Sequence, residues 1–279
     1  MKRQLLGVAA FMLALSAHAQ DNPLWMRYCA ISPDGTSIAF TYKGDIYTVP
    51  VNGGKAAQIT TNAAHDTHPV WSPDGKQIAF ASDRMGSMDI FVVDREGGIP
   101  KKLTTHSGNE TPVAFKDADH ILFLANVMPS AEDAQFPSGQ FQQVYEVSTT
   151  GDRPVMFSSM PMEDISINKT GNALLYHDKK GYEDPWRKHH TSSITRDIWL
   201  CSLDGKRSYR KLTSFNGEDR TPVWASDGKS FYYLSEEKGS FNVFKRALSS
   251  PTIPSTRSVS LLLPTTAHSA TDMMEKSIQ

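Results

Sequence analysis

The stretch ISPDGTSIAFTYKGDIYTVPVNGGKAAQIT, residues 31–60, returns as WSPDGKQIAFASDRMGSMDIFVVDREGGIPKKLT at 71–104. A degraded third copy reads AFKDADHILFLAN at 114–126 and continues as QVYEVSTTGDRPVMFS at 143–158. The fourth runs from ISINKTGNALLYHD at 165–178 to DIWLCSLDGKRSYRKLT at 197–213. WASDGKSFYYLSEEKGSFNVFKRALSS, at 224–250, is the fifth. Such a period constrains the fold more than any single residue, because one unit of this size buries its apolar face only against its neighbours.

Every unit has the same layout. A strand ends in a turn built on Pro33-Asp34-Gly35, Pro73-Asp74-Gly75 or Asp227-Gly228. Proline presets φ there, and glycine accepts the positive φ of a tight turn. An alternating apolar strand follows, with Ile38 and Phe40 or Ile78 and Phe80 on one face. After a polar loop come Asp-Ile-Tyr, Asp-Ile-Phe, Gln-Val-Tyr, Asp-Ile-Trp and Asn-Val-Phe, beginning at positions 45, 89, 143, 197 and 242. A Gly-rich hairpin and a strand ending in Leu-Thr or Ile-Thr close the unit. Four short antiparallel strands per unit predict an all-β chain: a β-propeller of WD-like blades, about five of them and incomplete. The blades fall roughly at 24–64, 65–108, 109–162, 163–217 and 218–250. Helical periodicity is nearly absent outside the N-terminus, which excludes an α-solenoid.

The third and fourth units carry insertions, 127–142 and 178–196, before their Asp-Ile-Tyr-like segments. Equivalent loops of successive blades emerge on one face, so the two insertions are expected side by side.

The N-terminus has the form of an export signal: Lys2 and Arg3, an apolar run from Leu5 to Leu15, and Ala17-His18-Ala19. A signal peptide over 1–19, cut before Gln20, predicts export to a periplasm with no stable membrane span afterwards. The formal net charge of −1 gives no basic surplus for nucleic acid. Cys29 and Cys201 lie in different units and in apolar strands, which favours two buried free thiols over a disulfide.

The turn motifs and the opening PLWMRYCAISPDGTSIAFTYKGDIYTVPVNGG resemble TolB-like and tricorn-type propellers. Together with GYEDPWRKHHTSSITRDIW and TSFNGEDRTPVW, they are similar to the N-terminal part of exported, C-terminal-processing-like serine peptidases of the tricorn type. The resemblance covers roughly 21–250, and Cys29 departs from it where proline is expected. It implies a propeller that guides or filters peptides for a catalytic serine domain further along such a protein. A stand-alone periplasmic TolB-like binding propeller is the alternative. A propeller enzyme acting alone is the weakest reading.

The residues themselves offer little chemistry. No G-x-S-x-G, H-E-x-x-H, P-loop or dinucleotide glycine pattern occurs, so no catalytic residue, cofactor or metal ligand is assigned. His65, Asp66 and His68 cluster before the second Ser-Pro-Asp-Gly. Glu110-Thr111-Pro112 and Asp219-Arg220-Thr221-Pro222 occupy the same point elsewhere, which favours a blade-entry segment over a metal site. Ser82-Asp83-Arg84 reads as a loop ordered by its own charge-assisted hydrogen bond. Trp71, Trp224 and Phe115 read as core aromatics of innermost strands. The 178–196 insertion is the richer place, with Tyr182, Trp186, Arg187, His189 and His190 in one loop. Aromatic and guanidinium side chains on a loop over a rigid scaffold suit a peptide or protein ligand at the loop face.

After Ser250 the pattern stops, and SLLLPTTAHSATDMMEKSIQ has neither alternation nor an Asp-Gly turn. Asp-Met-Met-Glu, at 272–275, back-translates in a displaced frame to Tyr or His, then Asp-Gly. Over 262–279 codon choices exist for a string that aligns without gaps on Ser32 to Thr48. A frameshift between about Pro251 and Leu261, in the gene or in its reading, is the expectation. A propeller left open would expose blade edges and core, predicting marginal stability.

Overall fold

The computed structural model describes residues 25–126, 141–181 and 192–248, which form antiparallel sheets laid down in chain order. The first sheet runs β1 (Arg27–Ile31), β2 (Ser37–Tyr42), β3 (Asp45–Pro50) and β4 (Ala57–Gln58). The second runs β5 (Asp66–Trp71), β6 (Gln77–Ser82), β7 (Asp89–Asp94) and β8 (Lys101–Lys102). β9 (Glu110–Phe115), β10 (His120–Ala125), β11 (Gln143–Ser148) and β12 (Val155–Ser158) make the third. β13 (Met162–Ile167), β14 (Ala173–Asp178), β15 (Ile198–Ser202) and β16 (Ser208–Lys211) make the fourth. Among the described residues the fifth sheet has three strands: β17 (Asp219–Trp224), β18 (Ser230–Ser235) and β19 (Asn242–Ala247). The first strands of successive sheets contact one another, β1 with β5, β5 with β9, β9 with β13 and β13 with β17. These are the innermost strands of propeller blades, as the repeat predicts.

The turn between the first two strands follows from its residues. Gly35 takes φ +72° and donates its N–H to the Ser32 carbonyl at 2.8 Å. Asp34 Oδ1 accepts from Ser32 Oγ at 2.5 Å and from the Thr36 N–H at 3.0 Å. The Ser32 bond, helped by those from Thr36, holds the Asp34 pKa down at about 2. Ser72, Asp74 and Gly75 repeat the arrangement in the second blade. Asp227 does so in the fifth through Lys229 and Ser230.

Blades pack bulky face on small face. Ile78, Phe80, Phe91 and Val93 of the second blade lie on Ala39 and Ile46 of the first. Ile121, Phe123 and Tyr145 of the third lie on Ala79, Ile90 and Val92 of the second. The later junctions set Leu174 and Tyr176 on Leu122 and Val144, then Phe231 and Phe244 on Leu175 and Ile198, an apolar contact with larger aliphatic partners. Alternation along each strand produces both faces from one sequence. Trp71 and Trp224 end innermost strands and tie blades together: their indole N–H groups donate to the carbonyls of Ala30 (2.9 Å) and Ser166 (3.0 Å). Phe115 is buried in the core between the second and third blades.

One expectation about the core is corrected. Cys201 is buried and free, but Cys29 is free and exposed. Cys29 sits in an irregularity of β1, where the pairing with β2 shifts between Arg27 and Ala30, so its side chain is not directed by the regular alternation.

The Thr that ends most units forms a hydroxyl bracket. Thr60, Thr104 and Thr213 Oγ1 each accept the N–H of the third strand's isoleucine, Ile46, Ile90 or Ile198, at 2.9 Å. The residue before each Thr returns its N–H to that isoleucine's carbonyl at 2.8 Å: Ile59, Leu103 and Leu212. In the third blade Phe157-Ser158 stands in for the apolar–Thr pair, with Ser158 opposite Val144. Two backbone groups are satisfied where the ladder ends, a place where orphan groups are costly. On the fifth blade, the face turned away from the fourth exposes Val223 (51%), Tyr232 (40%) and Val243 (46%), an apolar surface in the position where each earlier blade receives its successor.

Candidate functional site at the channel mouth

Each innermost strand is bulged near the end where it enters the sheet. The pairing with the second strand slips between Arg27 and Ala30, Thr67 and Val70, Glu163 and Ser166, and Arg220 and Val223. Inside these bulges Tyr28, His68, Asp164 and Thr221 take φ of 54°, 54°, 49° and 54°. Side chains other than glycine adopt this left-handed conformation at a cost of about 1–2 kcal/mol each. In the third blade Pro112 occupies the matching position, its ring fixes φ negative, and the slip moves to between Pro112 and Ala114. Strained residues thus stand at one level around the central channel. Backbone strain of this kind collects at ligand clamps and switch regions.

On the side of the fourth and fifth blades, the bulges organise a polar network. Thr221 Oγ1 donates to Asp164 Oδ2 at 2.8 Å, and the Thr221 N–H donates to His177 Nδ1 at 3.3 Å. With Nδ1 accepting, the His177 proton resides on Nε2, which donates to Glu163 Oε2 at 3.1 Å. Lys179 Nζ donates to Glu163 Oε1 at 2.8 Å, and Arg196 stands 3.6 Å from Glu163 while pairing with Glu218 at 2.7 Å. Burial alone would raise the Glu163 pKa, but the hydrogen bonds from His177 and Lys179 and the Lys179 charge outweigh it and bring it to about 2. Glu163 is therefore a fixed anion. Thr221 gives its hydroxyl proton to Asp164 and not to an imidazole, so this group is no nucleophile–base pair.

On the opposite side Tyr28 and His68 present a ring platform, centroids 3.7 Å apart. His68 Nδ1 lies 3.0 Å from Thr67 Oγ1. Burial, and then the nearby His65, lower the His68 pKa to about 4, so this imidazole is neutral at pH 7. The His65–Asp66–His68 cluster does not converge on one point. Asp66 is fully buried and takes both its bonds from Arg84 Nη2, at 2.9 and 3.0 Å. Asp83 accepts the His65 N–H at 2.7 Å. Arg84 does bond Ser82 Oγ, as the triplet suggests, but its charge partner is Asp66 and not Asp83.

Tyr182, Trp186, Arg187, His189 and His190 lie outside the described residues. The base of their loop is held by Lys180, whose Nζ bonds the Thr195 carbonyl at 2.6 Å and also reaches the Asp197 carboxylate. That loop follows β14, whose last residue, Asp178, is next to His177, at the same end of the blade as the network. Sequence reading singled out His68 and set Thr221 at the equivalent point of another unit, but missed Tyr28 and Asp164. The available signal was their shared offset ahead of each turn motif, and nothing in their chemistry marks a left-handed residue.

Residues 23–260 match the family described as the tricorn protease N-terminal β-propeller domain. The chain belongs to this family. Tricorn protease homolog 1 of Streptomyces coelicolor is 25% identical over 217 residues, spanning 78% of this chain but 19% of that protein. The tricorn-type propeller described here therefore corresponds to about a fifth of that relative's length. The crystal structure of the tricorn protease superposes with a TM-score of 0.61 at 18% identity, over 81% of this chain and 22% of that one. TolB from Acinetobacter baumannii superposes with a TM-score of 0.57 at 17% identity, over 80% of this chain and 52% of that one. Both likenesses are likenesses of fold.

Proposed function

We propose that this tricorn-type propeller is the peptide-recognition and entry module of an exported serine peptidase and supplies none of its catalytic residues. The observation that carries the reading is the ring of left-handed residues, Tyr28, His68, Asp164 and Thr221, at the channel mouth. An aromatic platform on one side and a fixed carboxylate with neighbouring cations on the other suit an extended peptide, which offers both apolar side chains and backbone donors. The 127–142 and 178–196 insertions spring from this end, and Tyr182, Trp186, Arg187, His189 and His190 are proposed as further contacts. Residues 1–19 serve as the export signal, residues 20–250 as the propeller, and 251–279 as a stretch read in a displaced frame. Sequencing the gene tests the last point.

The test is binding of a fluorescent unfolded polypeptide to the full chain. Asp164→Asn and Trp186→Ala are each expected to weaken binding about tenfold, a loss of about 1.4 kcal/mol, with melting temperature held within a few degrees. Unchanged affinity in both variants would overturn the reading, as would peptide hydrolysis by this chain alone.

A further inference from the structure

We propose that the fourth- and fifth-blade side of the channel mouth selects peptides by a cationic nitrogen donor, an α-ammonium or a basic side chain, and that Asp164 is the specificity-determining residue. The inference rests on the peptide-recognition reading above and names the part of the peptide that this side takes.

The charge pattern comes first. Glu163 and Glu218 are each served by a cation: Lys179 Nζ donates to Glu163 at 2.8 Å, and Arg196 Nη1 donates to Glu218 at 2.7 Å. Lys180 is engaged by Asp197 and the Thr195 carbonyl. Arg220, beside Thr221, lies over the Phe241 ring, 4.0 Å from its centroid. Asp164 is left without a cation among the described residues. Its neighbour His177 stands with Nδ1 3.6 Å from Oδ2, but that nitrogen already accepts the Thr221 N–H and has no proton to offer. The Asp164 side chain is 48% exposed, so a charge arriving from the channel can reach it.

The hydrogen-bonding capacity points the same way. Thr221 Oγ1 gives its one proton to Asp164 Oδ2 at 2.8 Å and turns only lone pairs outward. Among the described residues Asp164 Oδ1 takes no hydrogen bond. Two acceptors with no spare donor therefore lie side by side. They suit an N–H donor, whereas a peptide carboxylate or carbonyl would find nothing to bond and would meet a like charge. Left-handed backbone at both residues, φ 49° and 54°, holds the pair in place. On the opposite side the exposed Tyr28 ring, backed by His68, presents a π face that accepts the same charge.

Three unlabelled decapeptides of one neutral sequence, amidated at the C-terminus and titrated calorimetrically into the full chain, test this. One has a free N-terminus, one is N-acetylated, and one is N-acetylated with a central Arg. The free-amino peptide, the Arg peptide or both should bind about tenfold tighter than the acetylated neutral one, and which of them gains separates a chain terminus from a side chain. Asp164→Asn should remove that advantage, Asp164→Glu should retain most of it, and Thr221→Val should reduce it. If Asp164→Asn does not fold, the three peptides on the unaltered chain decide. Equal affinity for all three overturns the proposal and leaves the peptide-recognition reading standing; it is also the result if a cation of the chain already serves Asp164. An advantage that survives Asp164→Asn overturns the assignment to that residue. Failure of all three peptides to bind defeats both readings.

Discussion

Thr104 Oγ1 donates a short hydrogen bond to the Glu110 carboxylate across the junction of the second and third blades. Glu110 is buried, and burial raises its pKa to about 7 against the pull of Thr104, with the nearby Asp89 adding to the rise. Asp219, at the matching junction ahead of the fifth blade, is raised to about 6, chiefly by burial. These acids bind protons in the folded chain at pH values where the unfolded chain has released them. Their contribution is fully present below the ordinary carboxylate pKa and is lost as pH rises through about 6 to 7. Glu163, lowered to about 2, acts oppositely, its contribution fading as pH falls from about 4.5 towards 2. The melting temperature should therefore peak near pH 5 and decline towards pH 8. Glu110→Gln should flatten the alkaline side, removing on the order of 3 kcal/mol of pH dependence. An unchanged pH–stability profile in Glu110→Gln would contradict the assignment.

Arg84→Met leaves Asp66 buried without its partner. Breaking a buried pair by removing one member costs about 3–5 kcal/mol. Arg84 also lies over the Phe91 ring, 4.6 Å from its centroid, so packing is lost as well. Chemical denaturation should show a loss in this range, and a double variant with Asp66→Asn should recover part of it.

Thr213→Val keeps the shape of the bracket and removes the acceptor for the Ile198 N–H. A buried donor left alone costs about 1–3 kcal/mol. Thr213→Ser, which keeps the accepting hydroxyl, should retain most of the stability. Equal melting of the Val and Ser variants would refute the bracket.

Tyr28→Gly should separate stability from recognition. It relieves about 1–2 kcal/mol of left-handed strain and returns about 0.5–1 kcal/mol through glycine's greater backbone freedom. Thermal stability should hold or rise slightly while unfolded-polypeptide binding falls, because the ring over His68 is gone.

The exposed face of the fifth blade predicts self-association. Light scattering should rise with protein concentration, and Tyr232→Lys should reduce it without lowering the melting temperature.

The repeat made the blades legible because each strand's alternation and each Asp-Gly turn are local, and local rules survive in one sequence. Trp71 and Trp224 could be placed for the same reason. Cys29 could not, since a bulge shifts alternation by one residue and the sequence carries no glycine to mark it. The channel-mouth network was hidden for a different reason: Thr221, Asp164 and His177 meet from β17, β13 and β14, and only the packing of two blades brings them together.

The described blade junctions share an apolar face-on-face contact, so a blade makes similar packing demands on whichever copy precedes it. A gene encoding such units can gain or lose a whole unit by unequal recombination, and each surviving junction still fits. Mutational drift within one blade is likewise felt by two neighbours at most. Blade number is thus an easily varied trait in this architecture, whereas the pairing of faces is the trait that selection must hold constant.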